Sequence, residues 1–377
     1  MWSNGAMATT DGFRPPPYPY DRLVELRALA DEHEGGCVDL SVGTPTDAPP
    51  DLVLDALRSS GTERSYPPSV GVAPFRQAAA DWMRRRLGVS VDPAQIAACI
   101  GSKELVAGLP HWLRLRTPDR DTVLYPAVSY PSYEMGAVLA GCRAVPVPLD
   151  DSWAIDLDAV DPADAARALC LWVNTPGNPA GGLDDLDAAA RWGREHGVPV
   201  FSDECYVEFT WEGPRRTILA TGTEGVVAVH SLSKRSNLAG VRAGVYAGDA
   251  ELVHYLSELR KHAGFMVPGP VQAAAIAAWG DDVHVDEQAA RYRDRLERGR
   301  AILAALGVEA PFPGGGFYLW PAAPDGDAWA FARRLATEAG VLVSPGEFYG
   351  TAAAGHARLA MVASSARLDL VASRVGC

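Results

Sequence analysis

SLSKRSNLAGVRAG, residues 231–244, is the stretch that most constrains the fold and the chemistry of this chain. It follows the apolar run VVAVHS, residues 226–231, whose length and composition predict a buried strand. Lys234 should therefore emerge where that strand ends, the position at which open α/β sheets collect their ligands. A lysine that is partly removed from water can act there as a neutral amine and attack an aldehyde. Taken alone, the stretch leaves open a solvated lysine on a loop.

The same stretch predicts a binding site for an anion. Ser231 and Ser233 precede the lysine, and Arg242 follows it in the same glycine-containing segment. An arginine suits a phosphate because its planar donors can bind two oxygens at once. We therefore expect these three side chains to form a cationic, hydroxyl-rich pocket.

Two further loops follow predicted buried strands. SDECY, residues 202–206, places Asp203 at a strand end, where a carboxylate favours the protonated form of a pyridine nitrogen. Tyr206 could donate to an oxygen on the same ring. NTPGNPAGG, residues 174–182, could present the amide of Asn178 to a ring oxygen and a substrate carboxylate, with Pro and Gly fixing the turn. The alternatives are a helix N-cap for the aspartate and an ordinary loop for the asparagine.

The start of a predicted helix supplies a second candidate contact for phosphate. IGSKE, residues 100–104, opens that helix, so the backbone N–H groups of Ser102 and Lys103 would face a bound anion, assisted by the helix dipole. Tyr130, in VSYPSYE, offers a flat surface on which a heterocycle could stack. Gly-Ser pairs are common at helix starts and such tyrosines often only pack in the core, so neither signal decides the function alone.

Arg358 lies among the strand-like apolar residues of HARLAMV. Burying an arginine is costly unless an anion meets it. A substrate α-carboxylate would be such an anion, and an internal salt bridge is the alternative.

Short apolar runs alternate with helical patterns through the middle of the chain, which predicts an α/β fold with a mostly parallel sheet covered on both faces. We assign a large domain to residues 44–275 and a smaller α+β domain to residues 276–377, beginning with a long charged helix over 285–306. Residues 1–43 should form an arm that belongs to the small domain. The predicted strands of the large domain are VLYP (123–126), ALCLWVN (168–174), VPVFSDE (198–204), VVAVHS (226–231) and GVYAG (244–248).

The composition argues against nucleic acid and membranes as partners and indicates a reducing compartment. With 34 Lys and Arg against 47 Asp and Glu, the formal net charge is −13, and no basic run supplies the positive charge that nucleic acid requires. No apolar stretch approaches the roughly 20 residues that span a bilayer. The start, MWSNGAMATTDGF, lacks the features of a secretory signal, and Met7 could be the native start instead of Met1. The six cysteines lack the short spacings of a zinc site or a disulfide scaffold, so we expect no metal and a reducing cytoplasm.

Together these motifs resemble the class I and II aminotransferases, fold type I enzymes that use pyridoxal 5′-phosphate, and the resemblance covers nearly the whole chain. It implies a Schiff base between Lys234 and the cofactor, and amino transfer between an amino acid and a 2-oxo acid. YPPSVG places Tyr66 where the family reaches the phosphate of a neighbouring subunit, which implies a homodimer with shared active sites. LSVGTP places Gly43 near the substrate carboxylate.

From motifs and resemblance together, Lys234, Asp203 and Tyr206 are the catalytic candidates. The cofactor-binding candidates are Ser102, Lys103, Tyr130, Asn178, Asp203, Tyr206, Ser231, Ser233, Lys234, Arg242 and Tyr66, and the substrate-binding candidates are Gly43, Asn178 and Arg358.

Longer strings, notably GSKELVAGLP, HSLSKRSNLAG and RKHAGFMVPGPVQAA, are similar to succinyldiaminopimelate aminotransferases of actinobacteria. Such an enzyme exchanges an amino group between N-succinyl-L,L-diaminopimelate and 2-oxoglutarate, with glutamate as donor, in lysine biosynthesis. Three departures bear on substrate choice. Ala180 replaces the usual Thr of NPTG, and both YPPSVGVAPFR and the segment ASSARLD after the arginine strand differ from the usual forms.

Two other functions remain open. The same cofactor supports elimination, replacement and ring-forming reactions, and a specialised paralogue could catalyse one of them. Tyr18, Lys261, His262 and Phe265 are the substrate-side candidates that would then decide. A non-catalytic sensor that retains the fold is the third hypothesis, and the presence of Lys234 argues against it.

Overall fold

The computed structural model describes residues 13–377, so the two candidate start residues, Met1 and Met7, lie outside the described part. Strands and helices alternate through the middle of the chain, as predicted. The strands are β1 (Val38–Asp39), β2 (Ile96–Cys99), β3 (Thr122–Pro126), β4 (Arg143–Val147), β5 (Ala168–Asn174), β6 (Val200–Asp203), β7 (Val226–Ser231), β8 (Gly244–Gly248), β9 (Tyr318–Leu319), β10 (Val341–Leu342), β11 (Ser344–Pro345) and β12 (Ala357–Ala360). The helices are α1 (Val24–Asp31), α2 (Asp51–Arg58), α3 (Ala73–Trp82), α4 (Ser102–Arg116), α5 (Ser132–Leu139), α6 (Pro162–Arg167), α7 (Leu186–His196), α8 (Leu232–Arg235), α9 (Ala250–His262), α10 (Gly269–Gly280), α11 (Val283–Ala305), α12 (Ala328–Ala339) and α13 (Ser365–Val375).

The central sheet of the described residues has seven strands in the order β2-β8-β7-β6-β5-β3-β4. The pairs from β7 to β4 are parallel, and β8 runs antiparallel to both of its neighbours. Every residue of β5 is buried, which explains why its sequence is a continuous apolar run instead of an alternating one. The prediction of a mostly parallel sheet in an α/β fold is confirmed.

This topology brings the candidate residues to one edge of the sheet. Parallel strands β3, β5, β6 and β7 end at the same edge, and β8, which runs the other way, begins there. In the register of the sheet, Asn174 pairs with Asp203, and Ser231 pairs with Gly244. The loops after these strand ends and the loop before β8 are therefore neighbours.

The N-terminal and C-terminal segments pack together beside this sheet. β1 pairs in parallel with β10, and a separate three-stranded antiparallel sheet has the order β11-β12-β9. α1, α11, α12 and α13 contribute buried side chains to the same apolar cluster, including Leu26, Leu303, Leu335 and Leu368. The predicted arm thus joins the C-terminal part through β1, while the domain boundaries at residues 43 and 275 stay predictions.

In the stretch from residue 13 to residue 377, no helix is both long enough and apolar enough to cross a membrane. All six cysteines are free thiols.

Candidate active site

Lys234 lies on α8, the short helix that directly follows β7. Its Nζ donates a hydrogen bond to the backbone oxygen of Gly43. Burial, reinforced by the positive charges of Arg358 and Arg242, lowers the pKa of Lys234 to about 8. The neutral form of this amine, which a nucleophile for an aldehyde requires, is therefore far more abundant near physiological pH than in a lysine exposed to water.

Asp203 is the last residue of β6 and is 9% exposed. Its Oδ2 accepts a hydrogen bond of 3.0 Å from the Tyr133 hydroxyl, and its Oδ1 accepts one of 3.2 Å from the backbone N–H of Cys205. Burial raises the pKa of Asp203, although these hydrogen bonds act in the opposite direction. A cation bound beside it would offset the cost of burying the carboxylate. The next helical turn begins only at Val207, so the N-cap alternative is wrong.

Tyr206 follows Asp203 closely and is 5% exposed. Its hydroxyl lies 2.7 Å from the hydroxyl of Tyr318, on β9. A Cβ atom at Gly43 would collide with that Tyr318 hydroxyl, so only glycine fits at position 43. Burial raises the pKa of Tyr318 to about 12, which keeps its hydroxyl protonated.

Arg242 lies beside the start of α4. A Cβ atom at Gly101, which precedes the helix with φ = +72°, would collide with the guanidinium. Arg242 donates to the backbone oxygens of Ala239 (2.7 Å) and Ile100 (3.3 Å). It forms no ion pair with a carboxylate within residues 13–377. A positive charge and a helix N-terminus therefore meet at one point, where a phosphate would be bound by both.

The hydroxyl groups predicted for this pocket lie nearby along the sheet edge. Ser231 caps α8 by accepting from the backbone N–H of Ser233 at 3.1 Å, and the two hydroxyls are 2.9 Å apart. α4 begins at Ser102, as predicted, and the Ser102 hydroxyl accepts from the Cys205 thiol at 3.2 Å. That contact joins the start of α4 to the loop that carries Asp203.

Arg358, on β12, is 1% exposed and has no carboxylate partner in the described part of the chain. It donates to Asn178 Oδ1 at 2.8 Å, to the backbone oxygen of Ser41 at 2.6 Å and to the Tyr20 hydroxyl at 3.3 Å. Its guanidinium carbon lies 4.4 Å from the ring centre of Tyr318, and its Nε has no hydrogen-bond partner. The internal salt bridge considered above is therefore wrong, and the buried charge is available for an anion.

Tyr130 and the side chain of Lys103 form the outer wall. Lys103 Nζ donates to the Tyr130 hydroxyl at 3.2 Å and lies 5.6 Å from the centre of the Tyr18 ring. Lys103 is exposed, so this wall faces solvent.

The remaining candidates lie apart from this cluster. Tyr66 is 97% exposed, between α2 and α3. Lys261 pairs on the surface with Glu258, and His262 is exposed at the end of α9. Phe265 packs against Trp112 and Arg260.

Several residues of the site were not predicted from the sequence. Tyr133 follows Tyr130 in the same VSYPSYE string, but no local pattern distinguishes a partner for Asp203 from a core tyrosine. Tyr20, near the N-terminus, contacts Arg358, and Tyr318, in the C-terminal part, contacts both Arg358 and Tyr206. GGGFYLW places aromatic residues directly after glycines, but this pattern does not identify the residues that they contact.

These groups fit pyridoxal 5′-phosphate. A buried amine of lowered pKa suits its aldehyde, and a buried carboxylate suits its ring nitrogen. The uncompensated Arg242 beside the start of α4 suits its phosphate, while the uncompensated Arg358 remains for a substrate carboxylate. The donor set thus accommodates both an aromatic phosphate ester and an amino acid.

Comparison with known proteins agrees with this geometry. The family model for aminotransferase class I and II matches residues 36–375. A 4-dedimethylamino-4-oxo-anhydrotetracycline transaminase of Streptomyces rimosus is 40% identical over 96% of this chain and 99% of its own. An LL-diaminopimelate aminotransferase of Desulforudis audaxviator is 35% identical over 96% of this chain and 95% of its own. A solved structure, a probable N-succinyldiaminopimelate aminotransferase from Thermus thermophilus, is 32% identical with a TM-score of 0.84, covering 94% of this chain and 98% of that one. The chain belongs to the class I and II aminotransferases, pyridoxal-phosphate-dependent enzymes of fold type I.

Proposed function

We propose that this aminotransferase exchanges an amino group between N-succinyl-L,L-diaminopimelate, or a similar long-chain amino acid, and 2-oxoglutarate, with glutamate as the matching donor. The observation that carries the proposal is the buried Arg358, which has no counter-ion within the described residues and lies beside Asn178. A guanidinium in this state binds a carboxylate strongly, because it has already lost its water on folding and the carboxylate compensates its buried charge. An α-amino acid bound there would present its amine toward Lys234.

Each residue has a defined task in the proposed reaction. When bound, the cofactor supplies an aldehyde and a ring that withdraws electrons from the substrate α-carbon. Lys234 would hold the aldehyde through Nζ and, once the substrate amine takes its place, would accept the proton from the substrate α-carbon and deliver it to the carbon that had carried the aldehyde oxygen. Its pKa of about 8 suits a group that must both accept and donate a proton near neutral pH. Asp203 would keep a proton on the ring nitrogen, and the hydrogen bond from Tyr133 holds Asp203 in position.

The substrate side of the proposal is supported by similarity. The Thermus thermophilus and Desulforudis audaxviator proteins are named for N-succinyldiaminopimelate and LL-diaminopimelate, and they match this chain over nearly its full length. A long amino acid bound by its α-carboxylate at Arg358 would extend its other end past Tyr18 and Lys103, at the outer wall.

A second acceptor class has its own support. The Streptomyces rimosus relative is named for the ketone of an anhydrotetracycline, and its identity to this chain is 40%. The departure at Ala180 also distinguishes this chain from the usual NPTG motif. A polycyclic ketone is therefore the alternative acceptor, with an amino acid at Arg358 still acting as donor.

The two candidates are separated by half-reactions. Purified holoenzyme is mixed with glutamate, N-succinyl-L,L-diaminopimelate or LL-diaminopimelate, and the conversion of bound cofactor to its amine form is followed by absorbance. The aminated enzyme is then mixed with 2-oxoglutarate or a tetracyclic ketone, and products are identified by mass spectrometry. Conversion by glutamate and by the succinylated substrate is expected. If only glutamate converts the cofactor to its amine form, and only the ketone restores the aldehyde form, the first proposal is contradicted and the second is supported.

We also propose that the protein is a homodimer with two shared active sites. The proposed compartment is the cytoplasm. Tyr66 is fully available for a neighbouring subunit, since 97% of it is exposed. Six free cysteines are consistent with a reducing compartment.

A further inference from the structure

Tyr318 lies at the centre of the site, but none of the tasks described above uses it. It begins β9, is 1% exposed, and pairs in register with Ala360 on β12, the strand that carries Arg358. Its ring supports the guanidinium of Arg358 at 4.4 Å, and its hydroxyl lies 2.7 Å from the hydroxyl of Tyr206. That hydroxyl also lies close to Gly43, where a Cβ atom would collide with it.

The proton count at these two hydroxyls fixes the direction of the hydrogen bond when the cofactor is bound. Each tyrosine has one proton to donate, and a buried hydroxyl without a partner is costly. Within the described residues, the Tyr206 hydroxyl is the sole hydrogen-bond partner of the Tyr318 hydroxyl. If Tyr206 gives its proton to the phenolic oxygen of the cofactor, its own oxygen can only accept. Tyr318 must then be the donor.

We propose that Tyr318 is a positioning residue that donates to Tyr206 and so aims and strengthens the hydrogen bond from Tyr206 to the cofactor's phenolic oxygen. A hydroxyl that accepts a hydrogen bond becomes a better donor, since hydrogen bonds in a chain polarise one another. The inference rests on the proposed roles of Lys234 and Tyr206. In addition to those roles, Tyr318 on β9, in the C-terminal part of the chain, would adjust the ionisation of the cofactor's phenolic oxygen through Tyr206.

The expected effect is spectroscopic. A strong donor at the phenolic oxygen favours its ionised form, which lowers the pH at which the nitrogen joining Lys234 to the cofactor loses its proton. Tyr318→Phe keeps the ring under Arg358 but removes the donor. We expect the midpoint of the pH-dependent change in visible absorbance of the holoenzyme to rise by about half a pH unit. Tyr206→Phe should raise it further, and the KM for glutamate in Tyr318→Phe should stay within about twofold of wild type.

Tyr292→Phe is the matched control. Tyr292 belongs to the same buried aromatic cluster, but its hydroxyl donates to Asn237 at 3.4 Å. A raised midpoint in Tyr318→Phe with no shift in Tyr292→Phe supports the inference. An unchanged midpoint in Tyr318→Phe, beside a shift in Tyr206→Phe, overturns the inference and leaves the proposed function standing. An equal shift in Tyr292→Phe also overturns it, because general loosening of the cluster would then explain the result. If Tyr206→Phe does not shift either, the assigned role of Tyr206 fails together with the inference.

Discussion

At the scale of single residues, the buried charge of Arg358 should dominate the binding of the substrate carboxylate. Arg358→Lys keeps a cation but loses the two parallel donors that fit a carboxylate. We expect the KM for glutamate to rise about 100-fold, which corresponds to the loss of about 3 kcal/mol from charged hydrogen bonds. Steady-state kinetics measure this, and the visible absorbance of bound cofactor should be unchanged.

Arg295 provides the control for that substitution. It is also buried, but it is paired with Asp47 at 2.6 Å. Arg295→Lys should leave the KM for glutamate near the wild-type value. Equal KM values in the two variants would argue against a carboxylate at Arg358.

The lowered pKa of Lys234 predicts how the apoenzyme captures its cofactor. Below its pKa the amine is protonated and cannot attack, so the capture rate should rise with pH and level off above about 8, not near 10.5. Because the charge of Arg358 contributes to the lowering, Arg358→Met should move the midpoint to higher pH. Stopped-flow absorbance at a series of pH values measures both, and a wild-type midpoint close to 10.5 would contradict the burial of this amine.

At the scale of elements, Glu208 joins the turn after Tyr206 to the helix that carries Lys234. It is 3% exposed and accepts from Trp82 at 2.7 Å and from Arg235 at 3.1 Å, with Arg86 on its other oxygen. Burial alone would raise the pKa of Glu208, but Arg235 and Arg86 hold it below the usual value. The carboxylate is therefore charged and holds two segments of the site in place.

Glu208→Gln should destabilise the protein by about 3 kcal/mol, because it leaves buried guanidinium groups with less compensating charge. The urea concentration at the midpoint of unfolding measures this. Glu258→Gln makes the same change in an exposed pair with Lys261, where solvent screens the charges and the loss of stability should be much smaller. Similar midpoints for both variants would mean that the buried cluster does not hold these elements together.

Elements with a strong local signal were predicted well. β5, β7 and β8 match their apolar runs residue for residue, because each strand is buried along its whole length. The strand expected over 198–204 is confined to Val200–Asp203. Contacts between distant residues could not be predicted. Tyr133 and Asp203 are 70 residues apart, and Tyr206 and Tyr318 are 112 apart, so no local pattern records that they meet.

At the scale of the whole molecule, the proposed homodimer makes Tyr66 part of its neighbour's phosphate site. Tyr66→Phe should raise the apparent Kd for the cofactor about tenfold, the worth of one hydrogen bond to a charged group, without changing the mass of the assembly. Sedimentation equilibrium gives the mass, and titration of apoenzyme with cofactor gives the Kd. A monomeric wild-type enzyme, or a Tyr66→Phe variant that binds the cofactor as tightly as wild type, would contradict shared sites.

The central claim is that Lys234 is covalently joined to the cofactor. The chain has three lysines, Lys103, Lys234 and Lys261, so the claim can be tested without ambiguity. Holoenzyme is reduced with borohydride, digested, and the modified peptide is identified by mass spectrometry. The pyridoxyl label is expected on the peptide that contains Lys234. A label on either of the other lysines, or no label, would contradict it.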